Sequence, residues 1–286
     1  MQHGPAVRRR KLGAELRALR TSAGLTSGEA ARMAGWHQSK VSRIETGTSG
    51  VKPADVRLLL DVYGVADPQL RELLQVLSGT GDGGGRHHWW HAYRGVLPPT
   101  YRDFISLESQ ASAMRTLETT VIPGLLQTPE YARAVTEAAL EGESEERLDA
   151  LVEVRLARQH VLRAEPPLEL SAVLDEAVLR REVGGPGVMA RQLSRLVDAA
   201  RLPQVRLQVL PFSAGAHIGV TGPFVIFSFS RTSDLDVVVL DHLTSSHYLE
   251  RKEDLRAYSE AFNALSTHAL SPEDSLDYIA GAVAGA

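Results

Sequence analysis

Apolar residues at helical spacing, separated by glycines, dominate the first quarter of the chain. In residues 8–23, Leu12, Leu16 and Leu19 recur at intervals of four and three, which places them on one face of a helix. Gly24 stands where a glycine commonly ends a helix. The opposite face of this first helix carries three arginines, Arg9, Arg17 and Arg20.

Two short helices are predicted next. Thr26 and Glu29 form a capping box, which indicates the start of a second helix. A third helix is predicted over residues 37–46, with Val41 and Ile44 on its buried face. Its outward-facing residues are polar: Gln38, Ser39, Lys40, Ser42 and Arg43.

Two further helices complete an N-terminal domain. Lys52-Pro53 opens a fourth helix, and Asp67-Pro68 opens a fifth that runs to about Leu77. Val56, Leu59, Leu60 and Tyr63 form the apolar stripe of the fourth helix. Five short helices predict an all-α domain over residues 1–77.

The segment after this domain has few side chains that can pack. Residues 78–85 read SGTGDGGG, which is typical of a flexible tether. We therefore expect a Gly-rich linker at residues 78–90 and a second domain at residues 91–286. The tract His87, His88, Trp89, Trp90 and His91 is either a metal tract without a convincing fourth ligand or, as we favour, an aromatic segment that packs the tether onto the second domain.

The second domain mixes helices and strands. Strand-like runs occupy residues 168–174, 205–209, 224–229 and 237–240. Helices are predicted at residues 104–119, from Thr128-Pro129 onward, and at residues 145–163, 176–183, 187–202, 250–269 and 272–282. The first two strands favour a parallel pair with a helical crossover and the last two a hairpin. We expect an α+β or α/β fold with a small mixed sheet.

Charge divides the chain into a basic part and an acidic part. Residues 1–77 contain 12 Lys/Arg and 7 Asp/Glu, a net charge of +5, whereas the remaining residues contain 19 and 28, a net charge of −9. A basic module on an acidic body is typical of a nucleic-acid-binding protein. Chance clustering of charge on a solvated face is the alternative.

Composition and motifs exclude several classes of function. The chain has no cysteine, so disulfides and thiolate metal or redox sites are excluded. No apolar stretch is long enough for a signal peptide core or a membrane span, and we expect a cytoplasmic protein that is nucleoid-associated when bound to DNA. Asp175-Glu176 and His217 are acid–base candidates, but carboxylates after a strand are more often helix N-terminal charges. We expect no enzyme, cofactor or metal.

The stretch TSGEAARMAGWHQSKVSRIETG, residues 26–47, carries the strongest functional signal. It resembles the lambda-repressor/Cro-like (XRE) helix-turn-helix family, and the resemblance is strong over residues 12–63. The small residues Ala30, Ala31 and Ala34 and the turn glycine Gly35 suit a second helix that crosses closely over the third. His37 departs from the small N-cap residue usual in that family. The matching residues are Ser39, Val41, Ser42, Ile44, Glu45 and Gly47.

This resemblance implies specific DNA contacts. Gln38, Ser39 and Arg43 correspond to residues that contact base edges, where Gln pairs with adenine and Arg with guanine, each worth about 1–3 kcal/mol of discrimination. The implied phosphate-contacting residues are Ser27, Lys40, Ser42, Thr48 and Lys52. For any one of these residues, an ordinary solvated helix face is the alternative.

From about Leu107 onward, the chain resembles the domain that follows such modules in actinobacterial antitoxin-like, WhiJ-like regulators. The matching residues are Ile122–Ala132 (IPGLLQTPEYA), Arg155, Arg158-Gln159, Asp175–Leu179, Gln192-Leu193, Gln208–Pro211, Gly215–His217 and Ala269–Pro272. The resemblance implies a regulator of development or secondary metabolism, often paired with a small protein encoded nearby, with no settled enzymatic activity.

These observations together predict a dimeric, sequence-specific transcriptional regulator. Each N-terminal domain would bind a half-site in double-stranded DNA, and the second domain would form the homodimer and bind a small-molecule effector or a small protein partner. Dimer symmetry predicts an inverted repeat with half-sites about 10 bp, or a multiple, apart. The alternatives are an antitoxin-like protein that mainly sequesters its partner and a ligand-sensing repressor with an apolar pocket in the second domain.

Overall fold

A computed structural model describes residues 4–78, 90, 93, 95–229 and 236–284. The chain divides into two compact units, Met1–His91 and Ala92–Ala286. The predicted tether lies almost entirely outside the described residues, as do His87, His88, Trp89 and His91. Trp90 is buried. The linker boundaries and the packing of the tether therefore remain predictions.

The N-terminal unit contains the five helices that the sequence predicts. They are α1 (Gly4–Ser22), α2 (Ser27–Met33), α3 (Gln38–Glu45), α4 (Pro53–Val62) and α5 (Pro68–Ser78). The residues at helical spacing form the core: Leu12, Leu16, Val41, Ile44, Val56, Leu59, Leu60 and Tyr63 are all buried. The fold of this unit follows directly from its apolar pattern.

The ends of α2 and α3 are determined by local hydrogen bonds. The predicted capping box is present, since the Thr26 hydroxyl accepts a bond from Glu29 N and the Glu29 carboxylate accepts one from Thr26 N at 2.8 Å. Gly35 and Gly47 follow the two helices with φ of 70° and 68°. In each case the next residue donates back across the turn, as Thr48 N does to the Arg43 carbonyl at 3.0 Å.

Helices α1 and α3 approach each other closely at Gly13. A Cβ atom placed on Gly13 would lie against the carbonyl oxygen of Ile44 and 2.6 Å from that of Glu45. Real Cβ atoms do not approach backbone oxygens so closely, so any side chain here would separate the two helices. The position of α3 on the unit therefore depends on the absence of a side chain at residue 13.

The C-terminal unit is built on a six-stranded mixed sheet of order β3-β2-β1-β4-β5-β6. The strands are β1 (Ala113–Glu118), β2 (Glu169–Asp175), β3 (Val205–Leu210), β4 (Phe224–Ser228), β5 (Val237–His242) and β6 (Ser245–Leu249). Strands β1, β2 and β3 are parallel, whereas β4, β5 and β6 are each antiparallel to the strand before them in the sheet. This confirms the predicted parallel pair (β2 and β3), the hairpin (β4 and β5) and the mixed sheet.

One predicted helix is wrong. The sequence predicts a helix over residues 104–119, but helix α6 (Pro99–Glu108) ends early and Ala113–Glu118 forms the central strand β1. Met114 and Leu117 are three residues apart, which suggested a helical stripe. In fact β1 is buried on both faces. Apolar residues are therefore favourable at every position of the strand and need not alternate with polar ones. Strand β6 was also not predicted, because it carries few apolar residues.

Helices pack on both faces of the sheet. They are α6, α7 (Pro129–Ala139), α8 (Glu145–Ala157), α9 (Glu176–Arg180), α10 (Pro186–Ala199), α11 (Lys252–His268) and α12 (Pro272–Ala284). Leu117 of β1 packs with Phe262 and Leu265 of α11. Because side chains alternate along a strand, the neighbouring residues of β1 lie on the opposite face. There Phe104 of α6 packs edge-on against Phe227 of β4, with ring centroids 5.2 Å apart.

The IPGLLQ segment, residues 122–127, is held by side chains rather than by a sheet. Gln127 Nε2 donates to the Ile122 carbonyl at 2.7 Å, and Ile122 N donates to the Tyr131 hydroxyl at 3.1 Å. Gln159 Nε2 donates to the carbonyls of residues 124 and 127, and Gln192 Nε2 donates to that of residue 126. These buried amides satisfy backbone groups that otherwise would lack partners, which explains their presence in the motif.

Helix packing at Gly13 gives a first prediction. Replacing Gly13 with Ala will destabilise the N-terminal unit by about 1–3 kcal/mol, because the cost of overpacking exceeds the gain in helix propensity. Calorimetric unfolding of the full chain measures this. The matched control is Gly28→Ala in α2, where a Cβ meets no atom within 4 Å and the gain in propensity should appear. Equal effects of the two substitutions would contradict the proposed close contact.

Candidate nucleic-acid interface

Helix α3 presents a polar stripe to solvent. Val41, Ile44 and Glu45 are buried, and the exposed side chains are Gln38, Ser39, Ser42 and Arg43. Positions i, i+1, i+4 and i+5 lie along one side of a helix. The three residues predicted to contact bases therefore share one exposed surface with Ser42, a predicted phosphate contact.

Gln38 connects the starts of α2 and α3. Its Nε2 donates a hydrogen bond to Ser27 Oγ at 2.9 Å, and Ser27 is the first residue of α2. The structure thus brings together a predicted base-contacting residue and a predicted phosphate-contacting residue. The bond uses one N–H of the Gln38 amide. The second N–H and the carbonyl oxygen stay available, and together they can pair with the acceptor and the donor on the edge of adenine.

Lys40 forms two contacts within its own domain. Its ammonium group lies 3.1 Å from Asp55 Oδ2 of α4 and 3.5 Å from the centroid of the Trp36 ring. Both contacts favour a cation at this point. The resemblance implies a phosphate contact for Lys40, and neither Trp36 nor Asp55 was identified from the sequence. An ion pair between residues 15 positions apart gives no local sequence signal.

Arg20 lies inward, which corrects the expectation that it belongs to an outward arginine face. Its Nε and one terminal nitrogen donate to the two carboxylate oxygens of Glu45 at 2.7 and 3.0 Å, and its other terminal nitrogen donates to the Leu25 carbonyl at 2.6 Å. The hydrogen bonding of Arg20 to the Glu45 carboxylate is the main reason that the pKa of Arg20 is raised. This pair fastens the end of α1 to the end of α3.

The remaining predicted residues lie near the ends of α3 and α4. Thr48 follows α3 and its hydroxyl donates to the Arg43 carbonyl at 3.1 Å. Lys52 is exposed and directly precedes α4. His37 precedes α3 as its N-cap residue but makes no side-chain capping bond, as its departure from the family pattern suggested. The first turn of α3 therefore keeps N–H groups that its own cap does not satisfy.

The other chemistry considered from the sequence has structural explanations. The Asp175 carboxylate accepts from Ala177 N at the start of α9, and the Glu176 carboxylate accepts from Phe212 N at 2.9 Å. His217 Nδ1 accepts from Gly219 N, and its Nε2 lies 3.9 Å from Asp175 Oδ2. Across the residues that the structure describes, no group of His, Asp and Glu is arranged to hold a metal ion. No described helix has the length and apolar character needed to cross a membrane.

A short helix, a glycine turn and a helix with an exposed polar stripe define a helix-turn-helix DNA-binding domain. Residues 11–74 match the model of a helix-turn-helix domain. Residues 101–281, more than half of the chain, match the family described as Domain of unknown function (DUF5753), and the chain belongs to that family. Comparison with curated proteins and with solved structures found no match to the chain.

The ion pair behind α3 gives a second prediction. Replacing Glu45 with Ala leaves the guanidinium of Arg20 largely buried without its carboxylate, so we expect the N-terminal unit to lose about 3 kcal/mol of stability. Chemical unfolding of the full chain measures the loss. Asp61→Ala is the control, because it removes the more exposed partner of Arg71 and should cost less than about 1 kcal/mol. Similar losses for both variants would refute the structural importance of the buried pair.

Proposed function

We propose that this protein is a sequence-specific transcriptional regulator of the lambda-repressor/Cro-like (XRE) type. The observation that carries the proposal is the exposed stripe of Gln38, Ser39, Ser42 and Arg43 on a helix whose opposite face is fixed by the buried Glu45. A rigid helix with exposed amide and guanidinium groups suits insertion into the major groove, where these groups recognise adenine and guanine. The net charge of +5 on residues 1–77 supports attraction to the DNA backbone.

The phosphate contacts surround this stripe. We assign them to Ser27, Ser42, Thr48 and Lys52, which are hydroxyl or ammonium groups at or near helix ends. Lys40 joins them only when it leaves Asp55, so its contribution is smaller than that of a free lysine. The first turn of α3, which has no side-chain cap, gives one more feature that suits an anion.

The second unit supplies regulation in this proposal. A WhiJ-like domain would hold two chains together as a homodimer and respond to a small-molecule effector or to a small protein encoded nearby. The acidic charge of this part of the chain, −9 for the residues after 77, suits protein or effector binding better than contact with DNA. A homodimer would recognise an inverted repeat.

An exposed apolar row favours a second candidate function, an antitoxin-like protein that mainly sequesters a partner. Strands β1, β2, β3 and β5 all end at one edge of the sheet, and the connections that follow β3 and β5 carry Phe212, Ile218, Val220 and Leu243. These are four of the six exposed large hydrophobic residues in the described part of the chain, with Val220 77% and Leu243 100% exposed. Exposed apolar side chains along one edge are typical of an interaction surface.

Selection of bound duplexes from a random pool tests the regulator. We expect a palindromic consensus whose preference persists at higher salt. Arg43→Ala should relax the preference at one position of each half-site, at a cost of about 1–3 kcal/mol. Lys52→Ala, its control, should weaken all sequences alike and reduce the salt slope by about 1. A pool without a consensus would instead favour the interaction protein.

The Lys40–Asp55 pair gives a prediction about salt dependence. Asp55→Asn frees Lys40 to meet a phosphate, so affinity should rise and the slope of log affinity against log salt should steepen by about 0.9. Asp61→Asn makes the same change of charge at the pair with Arg71 and serves as the control. Identical slopes for the two variants would show that Lys40 does not exchange Asp55 for DNA.

Co-purification of a small protein partner with the full chain tests the second candidate. Leu243→Asp and Val220→Asp should remove a stoichiometric partner from the complex without lowering the unfolding temperature, since both side chains already contact water. Met33→Asp, an exposed apolar residue of the other unit, should retain the partner. Retention in all three variants would exclude the apolar row as the interaction surface.

A further inference from the structure

The C-terminal unit contains a cluster of charged groups that none of the proposed DNA contacts involves. It lies where β1 ends, on the face of the sheet that α6 covers. Glu118 is the last residue of β1, and its Oε1 accepts a bond from Thr116 at 3.1 Å. Arg155 of α8, Tyr101 of α6 and Asp241 of β5 contribute the neighbouring charges and hydroxyl group.

Arg158, one turn after Arg155, is fully paired. It donates to both carboxylate oxygens of Glu108 at 2.8 and 2.6 Å and to the Tyr101 hydroxyl at 2.6 Å. The side chains of Arg158 and Glu108 are 6% and 1% exposed, so the pair is dry and its charges cancel. Arg158 therefore has a structural role, and its positive charge is unavailable to a ligand.

Arg155 has no such partner. Within the described part of the chain, its only hydrogen bond goes to Gln127 Oε1 at 3.3 Å, which leaves most of its five N–H donors unused. Burial lowers the pKa of Arg155, and the residue as a whole is half-buried. A guanidinium that is largely desolvated and not paired with a carboxylate is suited to binding an anion.

Glu118 has the complementary environment. Burial and the nearby Asp241 raise the pKa of Glu118, whereas the hydrogen bond from Thr116 and the arginines at positions 155 and 158 lower it, and the resulting pKa is about 7. The residue is half-buried. Near neutral pH the carboxyl group is therefore protonated in much of the population and can donate a hydrogen bond. Glu118 and Arg155 therefore place a carboxyl group that is neutral in much of the population near a guanidinium, at the carboxyl end of β1.

The position of Glu118 and Arg155 relative to the sheet suits ligand binding. The chain runs outward through β1, β2 and β3, then returns across β1 to place β4 on the other side. In open sheets with parallel strands, ligands bind beyond the carboxyl ends of the strands at the point where the strand order reverses. The carboxyl end of β1 is that point here, and the IPGLLQ segment that follows it supplies Gln127.

We propose that this pair binds a small organic molecule with a single carboxylate, held by Arg155, with Glu118 as a hydrogen-bond donor and the ring of Tyr101 beside it. Arg155 matches the planar geometry of a carboxylate. A phosphate dianion fits less well, because the single guanidinium of Arg155 cannot neutralise two negative charges and the Asp241 carboxylate adds another nearby. The inference deepens the proposed effector role of this unit and rests on it only for its regulatory meaning.

Thermal unfolding of the full chain in sodium benzoate, with sodium chloride at equal ionic strength as reference, tests the site. Benzoate should raise the unfolding temperature of the wild type in a saturable manner, and sodium phosphate should do so no more than chloride. Arg155→Gln should lower benzoate affinity about tenfold or more. Arg147→Gln removes an exposed arginine of the same helix, paired with Glu143, and should behave as wild type.

The remaining outcomes separate the site from its role. Absence of a benzoate effect in the wild type, an equal effect in Arg155→Gln, or an equal effect of phosphate would overturn the proposal. If Arg155→Gln does not fold, Arg155→Lys keeps the charge, loses the planar geometry and should still weaken benzoate binding. Stabilisation through Arg155 in a protein that binds no duplex would support the carboxylate site and contradict the proposed regulator.

Discussion

The buried pair of Arg20 and Glu45 is the interaction on which the DNA-binding unit depends. Helix α3 has only eight residues, too few to be stable alone, and its outer face is committed to polar groups. The orientation of α3 must therefore be set by contacts on its buried face. There Gly13 allows α1 to approach the backbone of α3, and Arg20 binds Glu45, the last residue of α3. Because Arg20 also binds the Leu25 carbonyl, the same guanidinium fixes the turn that leads into α2. One side chain thus aligns three consecutive helices.

In the C-terminal unit, neutral polar side chains hold a segment that has no regular hydrogen-bonding partners. The segment after β1 has neither a strand nor an α-helix to satisfy its backbone, and buried glutamine amides from three different elements do so instead. Ser275 and Leu270 pair with the open edge of β3 in the same manner, through bonds to both the N–H and the carbonyl of Val209. An edge occupied in this way cannot recruit another strand. The conspicuous polar residues of this unit are therefore largely structural, and Arg155 stands out because it is not used in this way.

The sequence was informative where structure is determined locally. Helix starts at Thr26 and Pro53 and ends at Gly35 and Gly47 depend on residues within one turn, so they could be predicted from short motifs. The central strand β1 could not, because its buried pattern reflects neighbours that arrive later in the chain. The same limit applies to the site: the exposed face of α3 follows from helical spacing, whereas the Lys40–Asp55 pair requires knowledge of how α3 and α4 pack. The base-contacting assignments follow from a resemblance and remain predictions.

In the proposed regulator, the placement of charge on α3 separates affinity from specificity. A lysine side chain without an ion-pair partner would strengthen binding to every DNA sequence, because all sequences present the same phosphates. With Asp55 opposite it, Lys40 must exchange one anion for another, so its net contribution to non-specific binding is small. Among the described residues, Arg43 has no carboxylate partner, and Gln38 is uncharged; in the proposed complex their groups match particular base edges. The N-terminal part of the chain has a net charge of only +5. Pairing Lys40 with Asp55 therefore lowers the share of the affinity that comes from phosphates and raises the share that depends on the base sequence.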